Sequence, residues 1–174
     1  ELAEIHSAIN GAEKYVKIQV MSFKLKGYGA KEPWTELTDA LKAAAKRGVK
    51  IQLLVADWTM SASAAKDIKE LALVPNISVK VSAIPQYSKE FVEFARVEHC
   101  KYLIADGKTS IISTSNWEES YFYKARNAAL VFNGEPVALV VEDMFDTSWK
   151  SRCAAPVEQD KKYTVPQREL KKEK

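Results

Sequence analysis

Cysteine is scarce in this chain. Cys100 and Cys153 are the only two in 174 residues, so there is no disulfide framework of the kind a small stapled fold depends on. Histidine is as rare: His6 and His99 lie far apart, and no His, Cys, Asp and Glu group at ligand spacing, so the sequence implies no metal and no cofactor. Apolar runs long enough to span a membrane are missing, and no signal peptide is visible. The chain opens on Glu1 and not on Met, which suggests an excised fragment or a processed product. A strong charge imbalance is also absent. The net charge is +3, and residues 152–174 hold all of that excess, with seven basic and four acidic residues. The body before them is neutral, with 19 of each sign. A neutral body excludes broad gripping of duplex DNA, which takes many phosphate contacts, and leaves room for a small phosphate pocket.

What is present is a core. Hydrophobic residues make up 47% and charged residues 28%, as in a soluble globular protein of one domain. Leu2, Ile5, Ala8, Ile9 and Ala12 recur at helical spacing, and a strand follows over Tyr15 to Phe23. Lys24 to Glu32, with Gly27, Tyr28 and Gly29, reads as a loop. Pro33 suits the first turn of a helix running to about Arg47, with Trp34, Leu37, Leu41 and Ala44 on its core face and Gly48 as its stop. Val49 to Ala56 is almost continuously apolar, as in a strand covered on both faces. A helix over Ala64 to Leu73 and a strand over Ile77 to Ile84 complete a strand–helix–strand–helix–strand order. The expected fold is therefore α/β, a mixed and largely parallel sheet flanked by helices. After a loop over Pro85 to Ala95 and a hairpin come a loop over Glu118 to Arg126 and a strand over Asn127 to Phe132. A helix over Glu135 to Trp149 closes a domain of residues 1–151, and residues 152–174 read as a charged flexible tail.

The hairpin is the informative stretch. His99 to Trp117 reads H-C-K-Y-L-I-A-D-G-K-T-S-I-I-S-T-S-N-W, and Asp-Gly between two β-rich runs is a strong two-residue turn signal. With Asp106 and Gly107 at the centre, Ala105 faces Lys108, Lys101 faces Ile112 and His99 faces Thr114. Alternation then puts His99, Lys101, Thr114 and Asn116 on one face and Cys100, Tyr102, Ile104, Ile111 and Ser113 on the other. An imidazole, an ammonium, a hydroxyl and a carboxamide without a carboxylate cluster suit a phosphate. Histidine carries protons near neutrality, lysine supplies fixed positive charge, and the neutral groups add directional hydrogen bonds. Cys100 is expected to be a buried apolar residue.

The same run resembles the signature of the phospholipase D superfamily, H-x-K-(x)4-D-(x)6-G-S-x-N. His99, Lys101, Asp106 and Asn116 fall on its positions, Thr114 takes the serine place and Ser113 stands for the glycine, adding a side chain on the expected core side. The flanks A-R-V-E-H-C-K-Y and T-S-N-W-E-E-S-Y-F are similar to the branch of animal lysosomal 5′ exonucleases and poxvirus phospholipase D-like proteins, and the likeness covers roughly residues 1–150. It implies metal-independent phosphodiester hydrolysis through a phosphohistidine, on phospholipid or single-stranded nucleic acid. His99, Lys101, Asn116 and Asp106 would be the catalytic set, with Asp106 more a turn former than a reactant. Thr114, Ser115 and Trp117 would contact substrate. Such sites pair two motifs. With one motif this chain would be a C-terminal half, His99 the leaving-group acid, and the other half would come from the parent chain or a homodimer partner across an apolar patch near Trp117 to Phe122. An inert half that only binds phosphate is the alternative. The glutamate that orients the histidine in many members is absent from Ala125-Arg126-Asn127, leaving Glu98 and Glu119 as candidates.

Overall fold

The computed structural model describes residues 1–27, 30–93 and 95–166. Tyr28 and Gly29 of the expected loop, and the last eight residues of the expected tail, lie outside the described residues. The elements in order are α1 (Leu2–Gly11), β1 (Tyr15–Val20), α2 (Glu36–Lys46), β2 (Lys50–Ala56), α3 (Ala62–Ala72), β3 (Ile77–Ser82), β4 (Lys101–Ala105), β5 (Thr109–Ser113), α4 (Glu119–Tyr123), β6 (Ala129–Asn133), α5 (Glu135–Lys150) and β7 (Ala154–Pro156). A short 3-10 turn, Asp57–Thr59, follows β2.

The seven strands form one sheet in the order β6-β5-β4-β1-β2-β3-β7. It is mixed, as expected, with the parallel part confined to β1, β2 and β3. β4, β5, β6 and β7 all join it antiparallel to their neighbours. Period-two burial on β1 divides the two cores. Val16, Ile18 and Val20 pack with Ile5 and Ile9 of α1, Leu37 and Leu41 of α2, and Ile68 of α3. Each such side chain contributes about 1.5–3 kcal/mol by leaving water. Leu54, Tyr102 and Ile104 turn to the other face, where Ala138, Val141 and Phe145 of α5 cover them. On that face the Lys17 ammonium lies 2.7 Å from Glu142 and 2.6 Å from Asp146, pinning α5 to β1.

Three expectations about elements are corrected. The helix expected from Pro33 starts at Glu36, because the Trp34 amide donates to the Leu25 carbonyl at 2.7 Å and keeps that stretch extended. Trp34 is thus half-buried beside the rings of Phe122 and Tyr123 and not on a helix face. Glu119–Tyr123, expected as loop, is a short helix. The expected tail from Arg152 belongs to the fold over most of its described length. β7 pairs with β3, Val157 and Tyr163 pack against the main core, and the Lys69 ammonium donates to the carbonyls of Gln159 and Lys161 at 2.6 and 2.8 Å. Charge hid this because the lysine heads point to water while Tyr163 and Val157 anchor the backbone.

Candidate active site

The chain leaves β1 toward β2 and later returns to the opposite flank of β1 as β4, so the end of β1 is the point where strand order switches. Open α/β sheets offer ligands a crevice there. β4 runs antiparallel, so its start meets the end of β1: Lys101 pairs with Val20. His99 and Lys101 are therefore placed at that edge by topology.

The hairpin differs from its expected register. Asp106 (φ 54°) and Gly107 (φ 67°) are the two turn residues, and the Lys108 amide donates to the Ala105 carbonyl at 3.0 Å. Yet the ladder resumes at Thr109, which faces Ala105, so Lys108 is an extra residue and the parity shifts by one. Leu103 pairs with Ile111, and Tyr102, not Lys101, pairs with Ile112. Thr114 consequently turns outward. Its hydroxyl lies 3.0 Å from the carboxamide oxygen of Asn127 and bonds the backbone of Ala128, tying β5 to the start of β6. Ser113 and Ile111 share the face of Leu103, not that of Tyr102. The Ser113 hydroxyl donates to the Glu1 carboxylate, and so does that of Ser115, at 2.8 Å. Neither Thr114 nor Ser115 has its hydroxyl free for substrate, as the expected roles required.

Asn116 reaches the site by another route. Beyond Ser113 the chain leaves the sheet, crosses the start of β4, and joins the end of β1, where Trp117 bridges Phe23. The Trp117 amide donates to the Ser22 carbonyl and the Lys24 amide to the Trp117 carbonyl, both at 3.0 Å. The crossing sets Asn116 beside the end of β1, and its Oδ1 accepts the Ser22 amide at 3.1 Å. Trp117 itself is buried against Phe23 with 5% of its surface exposed, so it belongs to the core and not to a substrate wall. The aromatic patch expected near it is not formed as drawn. Beside Trp117 to Phe122, Tyr123 is exposed, and further large exposed apolar side chains on this half of the sheet include Ile112 on β5, Leu130 on β6, and Val137, Leu139, Val140 and Met144 on α5.

The His99 ring is exposed, while Lys101 is buried and its ammonium donates to the His99 carbonyl at 2.8 Å. Burial lowers the Lys101 pKa. Cys100 is half-buried on the edge of the α5 core, and burial together with the Glu98 charge raises its thiol pKa, as a packing role expects. Asp106 is removed from this chemistry. It lies at the far end of β4, a five-residue strand or about 17 Å from Lys101. Its carboxylate accepts the amides of Glu13, Lys14 and Tyr15 at 2.8, 2.9 and 2.8 Å. Burial alone would raise its pKa; those three donors and the Lys108 charge hold it below the usual range.

Neither proposed partner carboxylate is bonded to His99. Glu98 is spent on the sheet, accepting from Gln19 Nε2 at 2.7 Å and the Ser82 hydroxyl at 3.3 Å, and Glu119 only opens α4. Three site-end residues were missed, Ser22, Thr59 and Glu118, while Tyr121 belongs to the expected Trp117 to Phe122 segment. The Ser22 hydroxyl donates to Glu118, Thr59 Oγ1 accepts the Phe23 amide at 3.0 Å, and Tyr121 accepts from Asn116 Nδ2 at 3.0 Å. A glutamate two residues after Asn116 was the available signal. Among the described residues no three His, Cys, Asp or Glu side chains gather as metal ligands, and no helix is long and apolar enough to cross a membrane.

Sheet order, switch point and the His-x-Lys pair opening an antiparallel strand define an α/β domain with an imidazole and an ammonium at its strand ends. The chain belongs to the phospholipase D-like family: residues 5–149 match the domain described as cardiolipin synthase, PLD-like. Phospholipase D Z of Dictyostelium discoideum is 32% identical over 156 residues, covering 87% of this chain and 37% of that protein. The mouse (Mus musculus) 5′-3′ exonuclease PLD4 is 28% identical over 177 residues, covering 88% and 34%. The chain thus spans about a third of the curated relatives it matches. In fold it is similar to NucT from Helicobacter pylori, with a TM-score of 0.74, 19% identity and 89% of each chain covered.

Proposed function

We propose that this chain carries one half of a phosphodiesterase site, in which His99, Lys101 and Asn116 hold the phosphodiester. The observation that supports this is that Asn116 bonds the Ser22 amide just past the end of β1, the same strand end at which Lys101 of β4 pairs with Val20. Lys101 supplies charge for the non-bridging oxygens, and Asn116 supplies a directional donor. The His99 imidazole either attacks phosphorus, forming a phosphohistidine while the leaving oxygen takes a proton from a second histidine, or itself donates that proton. No step needs a metal.

One motif supplies one histidine, so a second half completes the site, from elsewhere in a longer chain or from a second copy. Val137, Val140 and Met144 at helical spacing on the outer face of α5 form an apolar stripe suited to that contact, with Val140 63% exposed. The substrate is a phospholipid or a nucleic acid, the two classes that the names of the relatives span, and a single strand is the form of nucleic acid proposed. A half that binds phosphate without turnover is the second reading, favoured because among the described residues no carboxylate is bonded to His99.

The test is hydrolysis of bis(p-nitrophenyl) phosphate, phosphatidylcholine and single-stranded DNA with EDTA present. Turnover that survives EDTA and disappears in His99→Ala supports the proposal. Turnover lost to EDTA and restored by zinc or magnesium, or retained by His99→Ala, contradicts it.

A further inference from the structure

The Asn116 carboxamide is held in one orientation by atoms that leave no choice. The Ser22 backbone amide can only donate, so the atom 3.1 Å from it is Oδ1. Nδ2 therefore faces the other way, and one of its hydrogens goes to the Tyr121 hydroxyl at 3.0 Å. Among the described contacts the other hydrogen has no acceptor. Whether the amide keeps this aim depends on Ser22, which lies past the last paired residue of β1 and is held by the isolated bridge between Phe23 and Trp117.

Ser22 is fixed from the opposite segment. Its hydroxyl donates to the Glu118 carboxylate and lies 3.3 Å from Thr59 Oγ1, and its carbonyl accepts the Trp117 amide at 3.0 Å. Glu118 is largely buried, with 14% of its side chain exposed, and the Lys24 ammonium lies 3.4 Å away. Segments 22–24 and 116–118 are thus laced together, and Glu118 is the carboxylate inside the lacing, paired with Lys24. A largely buried carboxylate bonded to a hydroxyl and a nearby ammonium is a stronger tie than neutral contacts supply.

We propose that Glu118 is a positioning residue for the phosphodiester site, acting through Ser22 to hold the Asn116 Nδ2–H aimed at the phosphate place. This rests on the half-site proposed above, which supplies the reason an aimed donor matters. Without Glu118, Ser22 and the amide it holds gain freedom. A donor misplaced by about 1 Å costs up to 10²-fold in rate. The loss belongs in kcat, because ground-state binding still has Lys101.

The experiment compares Glu118→Ala, Glu118→Gln and Ser22→Ala, each with thermal melting, steady-state kinetics on bis(p-nitrophenyl) phosphate and the Asn116 side-chain amide signals in ¹⁵N NMR. Glu118→Ala and Ser22→Ala should lower kcat about 10- to 100-fold with KM changed less than about threefold. Glu118→Gln, which still accepts the Ser22 hydroxyl, should recover most of that rate. In both alanine variants the two Asn116 amide protons should move toward free-amide positions. Ser22→Ala deletes one oxygen and keeps the test alive if Glu118→Ala does not fold. Unchanged Asn116 amide signals in the folded alanine variants overturn the proposal whether or not the chain turns over. Loss of melting temperature with kcat of the folded fraction intact overturns it too. Wild-type turnover indifferent to His99→Ala would instead refute the half-site, while the amide signals still decide the role of Glu118.

Discussion

At the scale of residues, Asp106 separates structure from chemistry most sharply. A left-handed backbone and three amide donors make it the clasp between the hairpin and the entry to β1. Asp106→Asn keeps the backbone tolerance but loses the charge and turns an amide toward the Glu13 N–H. A loss of about 1.5–3 kcal/mol is expected in urea unfolding at pH 7. Because the folded pKa is depressed, the contribution is full above the unfolded value near about 4 and is lost as pH falls through the lower folded value. The gap between wild type and Asp106→Asn should therefore hold from pH 7 to about 4 and close below it. A gap that widens on acidification would contradict the clasp. The sequence made Asp106 legible as a turn former, since Asp-Gly between β runs has few other uses. It did not reveal the amides of residues 13–15, some ninety positions away, nor the burial of Trp117, because an aromatic beside a motif looks alike in a wall and in a core.

Elements were legible where a period repeats. α1 and α2 follow from helical spacing of apolar residues and β2 from a continuous apolar run, and Ile5, Leu37, Leu41 and Leu53 are buried accordingly. The hairpin was legible as a pair of strands but not in register, because a one-residue bulge at Lys108 leaves no mark in composition yet moves every later side chain to the other face. β7 was hidden for a different reason: three residues, Ala154 to Pro156, carry no pattern, and only the open edge of β3 gives them a partner. A chain ending at Arg152 should therefore lose about 2–4 kcal/mol through the uncovered contacts of Val157 and Tyr163. With the β3 edge bare it should also aggregate more readily on heating. Equal urea midpoints for the full and shortened chains would show that residues 153 onward are a mere appendage.

For the whole molecule, the question is what completes the site. Apolar side chains on the outer face of α5 are costly to leave in water, and helical spacing makes Val137, Val140 and Met144 one stripe. If two copies pair there, Val140→Glu and Met144→Glu should abolish self-association in light scattering. Each should leave monomer stability within about 0.5 kcal/mol, since both positions are exposed. A dimer that survives both changes would place the interface elsewhere. Assembly was the least legible level, because a sequence shows that one motif is present but not which surface a proposed second half would meet.

The central claim, that His99, Lys101 and Asn116 form a phosphate site, is tested most directly without requiring turnover. Inorganic phosphate titrated into ¹⁵N-labelled protein should shift the His99 ring and Asn116 side-chain signals along one saturable curve. Lys101→Met should weaken that curve about 10- to 100-fold, the value of one charge-assisted contact. Saturating phosphate that leaves both signals in place, or that binds Lys101→Met as tightly as wild type, would contradict it.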